Sequence, residues 1–442
     1  MEGFIKLEGF NEQDYSLANV GSPINPQLYF FKLGSDYICY APYSRFAAKL
    51  NKVEYNYLIS HKYLTIDAPK TLCTGGFYKK AIDNRAQKKA KESYMPTQLT
   101  VFLGDACNLN CIYCNATTNR KYTFDSEKTI RAVSLLLDKY FIKDIDFFGN
   151  GEPLLYFNTI RKITESAKSK GIESFYICTN GIILNNREEI IKFLVENNFY
   201  IQLSIDGYAA IQDSQRPTKA TYYSSSKEIE KTISEIKKYG ELDKFAFARF
   251  TLTYEALEHI KEILLYFKEL GFKKVRGATL IEEGNGVKNK LHPIDLNSQV
   301  DNIINAIIFA EQIGIDFTGD FDMRSPSESS IYPCPYMAGE AVSLNEGLKL
   351  LSCLEDVSYY QIGGIDLDKN QINIDMEVVN KFKQRNELTL NCESCPVKCG
   401  GGCTHSSFIS SGRLDLPGDY LGKCTFLRTA LYTYLKKKFD GD

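Results

Sequence analysis

The stretch LTVFLGDACNLNCIYCNA, Leu99 to Ala116, decides the fold, because a strand-like run, Leu99–Leu103, leads into a loop carrying Cys107, Cys111 and Cys114. Outward from it the same grammar recurs. The runs LTVFL, DIDFF, SFYICT, YIQLSI, FAFARFTL and KVRGA are each followed by an amphipathic stretch, and strands interleaved with helical stretches of about 10–15 residues imply a parallel sheet. The six units predict an α/β fold, a partial (β/α)6 parallel barrel over residues 96–322. In such a fold the chemistry sits just after each strand, at the C-terminal ends.

The flanks read differently. Residues 1–95 predict an N-terminal α+β domain: strand signals at Leu28–Leu33 and Tyr37–Tyr40 surround Gly34-Ser35-Asp36 as a hairpin, and a helical pattern follows at Ser44–Leu50. Lys79–Tyr94 is rich in Lys, Ala and Glu and reads as a linker or exposed helix running to Pro96. Beyond residue 322 the alternation stops and seven cysteines fall within Cys334–Cys424, which predicts a small metal-organised domain over residues 323–442.

Composition excludes several classes. With 44% hydrophobic and 24% charged residues, the 442-residue chain is globular. A net charge of -2 with scattered Lys and Arg leaves no footprint for nucleic acid or an anionic membrane, and no stretch approaches a transmembrane span. Nothing in MEGFIKLEGFNEQDYS marks export, so a cytoplasmic location is expected. There thirteen cysteines, an odd number, read as metal ligands rather than disulfides, and with only four histidines sulfur ligation is favoured.

The C-x3-C-x2-C spacing of Cys107, Cys111 and Cys114 suits a cubane cluster with one iron left open. A closed zinc site would need a fourth ligand nearby, yet the next cysteine is Cys178 and no histidine intervenes. With Tyr113 before the last cysteine, the loop resembles that of the radical S-adenosylmethionine superfamily, over about residues 96–320. The resemblance implies a four-iron four-sulfur cluster whose open iron chelates S-adenosylmethionine and cleaves it reductively to a 5'-deoxyadenosyl radical.

FFGNGEPLL, at the end of the second strand, is similar to the family's Gly-Gly-Glu-Pro segment; Gly151 and Glu152 match its contacts to the methionine amino group, while Asn150 replaces the usual first glycine. A glycine lets backbone approach closely and a carboxylate suits an ammonium. Ser204, in SIDG after the fourth strand, and Arg216 resemble the polar contacts to ribose and carboxylate. Leu252 looks like the residue that packs against adenine, or is a core leucine of the fifth strand. Thr179-Asn180-Gly181 ends the third strand in the same neighbourhood.

The block CESCPVKCGGGC resembles the SPASM domain of peptide and sulfatase maturases. Its ligation implies one auxiliary cluster on Cys334, Cys353 and Cys403, and another on Cys392, Cys395, Cys399 and Cys424, making three clusters in all. Cys39, Cys73 and Cys178 remain, either as buried small hydrophobes or with Cys39 or Cys73 filling the open position. The resemblance points to a maturase that cross-links residues of a ribosomally made precursor peptide through a thioether, ether or carbon–carbon bond. Its electrons would come from a flavodoxin or ferredoxin, and the N-terminal segment is either a grip on the peptide's leader or an uninvolved lid or dimer contact. The competing readings are an anaerobic sulfatase maturase, against which Leu354 stands where an Asp is expected, and an electron carrier, which has no use for Glu152 and Arg216.

Overall fold

The computed structural model describes residues 4–6, 22, 24, 28–42, 46–72, 77, 94–118, 122–220, 224–323, 334–355, 358–384, 395–397, 399, 402–413 and 419–440. At its N-terminal end lies an antiparallel sheet of β1 (Phe4–Lys6), β2 (Tyr29–Leu33), β3 (Asp36–Ala41) and β4 (Phe46–Leu50), in the order β1-β4-β3-β2. Leu33 faces Asp36, so Gly34 and Ser35 form the hairpin turn, with Gly34 at a φ of 58° that favours glycine.

The helical pattern expected at Ser44–Leu50 is instead the strand β4. Alanine favours helix in isolation, but Ala47 and Ala48 are fully buried against β3, and packing overrides propensity. The helix comes one turn later, at Lys52–Ser60, where Asn51 and Glu54 cap each other reciprocally. Lys79–Ser93 lies outside the described residues.

All six expected barrel strands are present as β5 (Gln98–Leu103), β6 (Asp144–Gly149), β7 (Ser174–Thr179), β8 (Phe199–Ser204), β9 (Ala246–Leu252) and β10 (Lys274–Thr279). They run parallel in sequence order, joined by helices, as a partial α/β barrel. Two further parallel strands flank them: β11 (Asp316–Gly319) beside β10, and β12 (Ala341–Leu344) beside β5. An antiparallel meander of β13 (Lys349–Leu351), β14 (Gln361–Asp366) and β15 (Gln371–Ile374) continues from β12, so the sheet crosses the boundary expected at residue 322.

The period of two along each strand separates two environments. Ile145, Phe147, Phe175, Ile177, Ile201, Leu203, Ala248 and Phe250 are buried against the helices. Such burial contributes roughly 1.5–3 kcal/mol per large side chain. The alternate positions, Asp146, Phe148, Cys178, Ser204, Arg249 and Thr251 among them, face the barrel interior. A hydrophobic shell thus carries a largely polar interior. No described helix is long and apolar enough to cross a membrane.

Candidate active site

The three-cysteine loop sits at the C-terminal end of β5, braced by segments that follow four other strands. After β6, Glu152 N–H donates to the Ala106 carbonyl at 2.8 Å. After β7, Asn180 donates to the Asn108 side chain at 2.8 Å. After β8, the carbonyls of Gln215 and Pro217 accept the N–H groups of Ile112 and Asn110. After β10, Asn285 and Asn289 donate to the carbonyls of Cys111 and Ile112 at 3.0 and 2.7 Å. A loop whose backbone groups are paired this way holds its thiols in place without relying on its own short-range contacts.

Cys107, Cys111 and Cys114 all line one cavity, together with Tyr113, Gly151, Glu152, Ser204 and Arg216. Burial raises the Cys107 thiol and pushes Cys111 up to about 12, so metal charge is what would draw their protons away. Three soft donors beside a carboxylate and a guanidinium fit a thiolate-held cluster and a zwitterionic ligand.

A Cβ on Gly151 would collide with the Ala106 carbonyl, so its glycine serves the approach of the β6 turn to the cysteine loop. Glu152 is buried, and its carboxylate accepts from Leu154 N–H at 3.1 Å, Thr179 Oγ1 at 2.5 Å and Asn180 N–H at 2.8 Å. Burial raises its pKa while these donors pull it back. Three donors leave about one of a carboxylate's four lone-pair sites for an ammonium.

Arg216 is held by Asp206, whose fully buried carboxylate also accepts from the Tyr113 hydroxyl and from Thr251 N–H at 3.0 Å. The sequence pointed to Arg216 and Tyr113 but missed Asp206, which stands in SIDG between Ser204 and Arg216 and whose burial shows only in the folded chain. It also missed Arg249, Thr251, Asn285 and Lys219, which line the cavity from separate loops and strands. Leu252 is 1% exposed and lies in the core, since it falls on the helix-facing parity of β9 and Thr251 takes the cavity side.

Of the C-terminal thiols, Cys353 is raised by burial and further by the charges of Glu355, Cys403 and Cys334, which lie within electrostatic reach of it. Cys395, Cys399 and Cys424 are half-buried, and Cys392 and Cys73 lie outside the described residues. Cys39 does not turn toward any of them: it is fully buried among Phe46, Tyr57 and Leu58 of the N-terminal core.

The Radical SAM superfamily model matches residues 101–283, which run from within β5 through β10 and include the three cysteines and the bracing segments after β6, β7 and β8. The chain carries a Radical SAM domain. The family implies a four-iron four-sulfur cluster and S-adenosylmethionine. Relatives of this chain include the cysteine-type anaerobic sulfatase-maturating enzyme of Clostridium perfringens, 23% identical over 67% of this chain and 85% of that one. The sporulation killing factor maturation protein SkfB of Bacillus subtilis is 29% identical over 32% of this chain and 33% of its own. Solved structures with the same fold include anSMEcpe with bound AdoMet, at a TM-score of 0.60, 18% identity and coverage of 78% of this chain and 96% of that one. Streptococcus suis SuiB bound to its precursor peptide SuiA matches at 0.52, with 15% identity and coverage of 90% and 99%.

Proposed function

We propose that this radical SAM enzyme is a peptide maturase that removes hydrogen from a residue of a ribosomally made precursor and closes a thioether, ether or carbon–carbon cross-link. The observation that carries this reading is coverage: the fold of SuiB, solved with a precursor peptide, accounts for 90% of the chain. When bound, the cluster and S-adenosylmethionine supply an oxidant strong enough to take hydrogen from unactivated carbon. The protein's part is to hold and orient. Cys107, Cys111 and Cys114 would ligate the cluster; Glu152 would receive the ammonium, while Ser204 and Arg216, the latter fixed by Asp206, would receive the carboxylate and ribose.

In this reading Cys334, Cys353 and Cys403 hold an inner auxiliary cluster and Cys392, Cys395, Cys399 and Cys424 an outer one. A flavodoxin or ferredoxin would supply the electron for cofactor cleavage, and the auxiliary clusters would take the electron that the substrate radical releases, with a proton, on cross-linking. The work is assigned to the cytoplasm. Incubation of the reduced enzyme with each short peptide encoded beside its gene tests it: a product lacking two hydrogens supports the reading, and unchanged peptides throughout overturn it.

A second reading, sulfatase maturation, is favoured by the Clostridium perfringens relative. Against it, Leu354 is 37% exposed where those enzymes carry their acid. Conversion of a Cys or Ser peptide to formylglycine would decide for this alternative.

A further inference from the structure

Two guanidinium groups stand side by side in the barrel wall. Arg249 on β9 lies opposite Arg276 on β10, and residues opposite one another in a ladder project to the same face. That face is the interior: Arg249 and Thr251 of β9 and Ala278 of β10 all line the cavity. The phenol of Tyr176, inward-facing on β7, feels both arginines, so both charges reach the same space. Arg249 is half-buried and Arg276 exposed, which lays a positive path from solvent to the cavity.

Among the described residues neither guanidinium has an ion pair or hydrogen bond. The carboxylates nearest the site are engaged elsewhere: Asp206 with Arg216 and Tyr113, Glu152 with three donors, and Asp146 with Gln98 at 2.5 Å. Glu355, whose carboxyl burial raises and Arg249 pulls down, stays beyond ion-pair distance. Like charges held together inside a barrel invite an anion between them. The cofactor's own carboxylate has other candidates in Ser204 and Arg216, so the pair is left for the substrate.

We propose that Arg249 and Arg276 form a carboxylate-binding site on the substrate side of the cavity and read an Asp or Glu side chain of the peptide. Planar guanidinium forks suit this role, since each pairs with a carboxylate through two parallel hydrogen bonds. The inference rests on the peptide-maturase reading and narrows its substrate to one with an acidic residue near the reacting carbon.

The test titrates three probes into the cluster-loaded, S-adenosylmethionine-bound enzyme: N-acetyl-glutamate N-methylamide, the matching glutamine N-methylamide, and N-acetyl-glutamine with a free terminal carboxylate. The glutamate probe is expected to bind about tenfold more tightly than the glutamine amide. R249Q should erase that preference, R276Q reduce it and R249K retain part of it, with the cofactor's dissociation constant moving less than about twofold in each. Preference for the free-terminus probe keeps the carboxylate site and assigns it to a chain end. Equal binding of all three probes overturns the site, as does a loss of cofactor affinity in R249Q that matches the loss of probe affinity. Discrimination of the probes without modification of any precursor would sink the peptide reading and spare the site; a modified precursor with undiscriminated probes would do the reverse.

Discussion

The two cysteine groups are assembled on opposite plans. Cys107, Cys111 and Cys114 come from one loop, fixed by backbone bonds to the segments after β6, β8 and β10 and by the Asn180 side chain after β7. Cys334, Cys353 and Cys403 come from three separated segments, on either side of β12, which joins the sheet beside β5, and of the β13–β14 hairpin, and only electrostatic reach links them. The first plan makes a site whose ligands share one local unit, held in place by the rest of the barrel. The second makes one that exists only once the sheet has been extended.

The largest effect should come from the local unit. Changing Cys107, Cys111 and Cys114 together to Ala is expected to reduce 5'-deoxyadenosine release to background while iron bound by the C-terminal thiols remains. Iron analysis on that variant checks it, and loss of all iron would mean the two plans are not independent. Cys353→Ala should remove about four irons and abolish the cross-linked product while S-adenosylmethionine cleavage without peptide continues. Full product formation by that variant would detach the dispersed group from function.

Asp206→Ala tests what holds the local unit to the barrel. Removing the carboxylate leaves the buried Arg216 unpaired, which should cost about 3–5 kcal/mol of stability by denaturant titration. Glu152→Gln should weaken S-adenosylmethionine binding about tenfold or more, the worth of a charge-assisted hydrogen bond. In the unaltered chain that affinity should fall as pH drops through the Glu152 pKa, which burial holds above the ordinary carboxylate value, because the protonated acid no longer attracts an ammonium. The glutamine variant should lose this dependence. Smallest of all, Leu252→Met should cost less than about 1.5 kcal/mol and leave cofactor affinity unchanged, in line with a helix-facing core position.

What was legible followed the range of the interaction. The six strands were readable because alternating burial against helices writes itself along each segment. The loop spacing and Glu152 were readable because neighbouring residues carry the chemistry together. Ser44–Leu50 misled because its helical propensity is weaker than the burial of Ala47 and Ala48 under β3. β11 and β12 escaped notice because each is four residues long, and their pairing with β10 and β5 is a long-range choice.

By itself the sequence determined that a strand runs into three cysteines, that strands and helices alternate after it, and that thiols accumulate near the end. Only the tertiary structure decided that Asp206 joins Tyr113 to Arg216 and that Arg249 stands beside Arg276. Spacing along a chain records contacts within a turn or a loop. Partners brought together by the closing of a sheet leave no periodic trace, because their separation in sequence is set by the lengths of the helices between them.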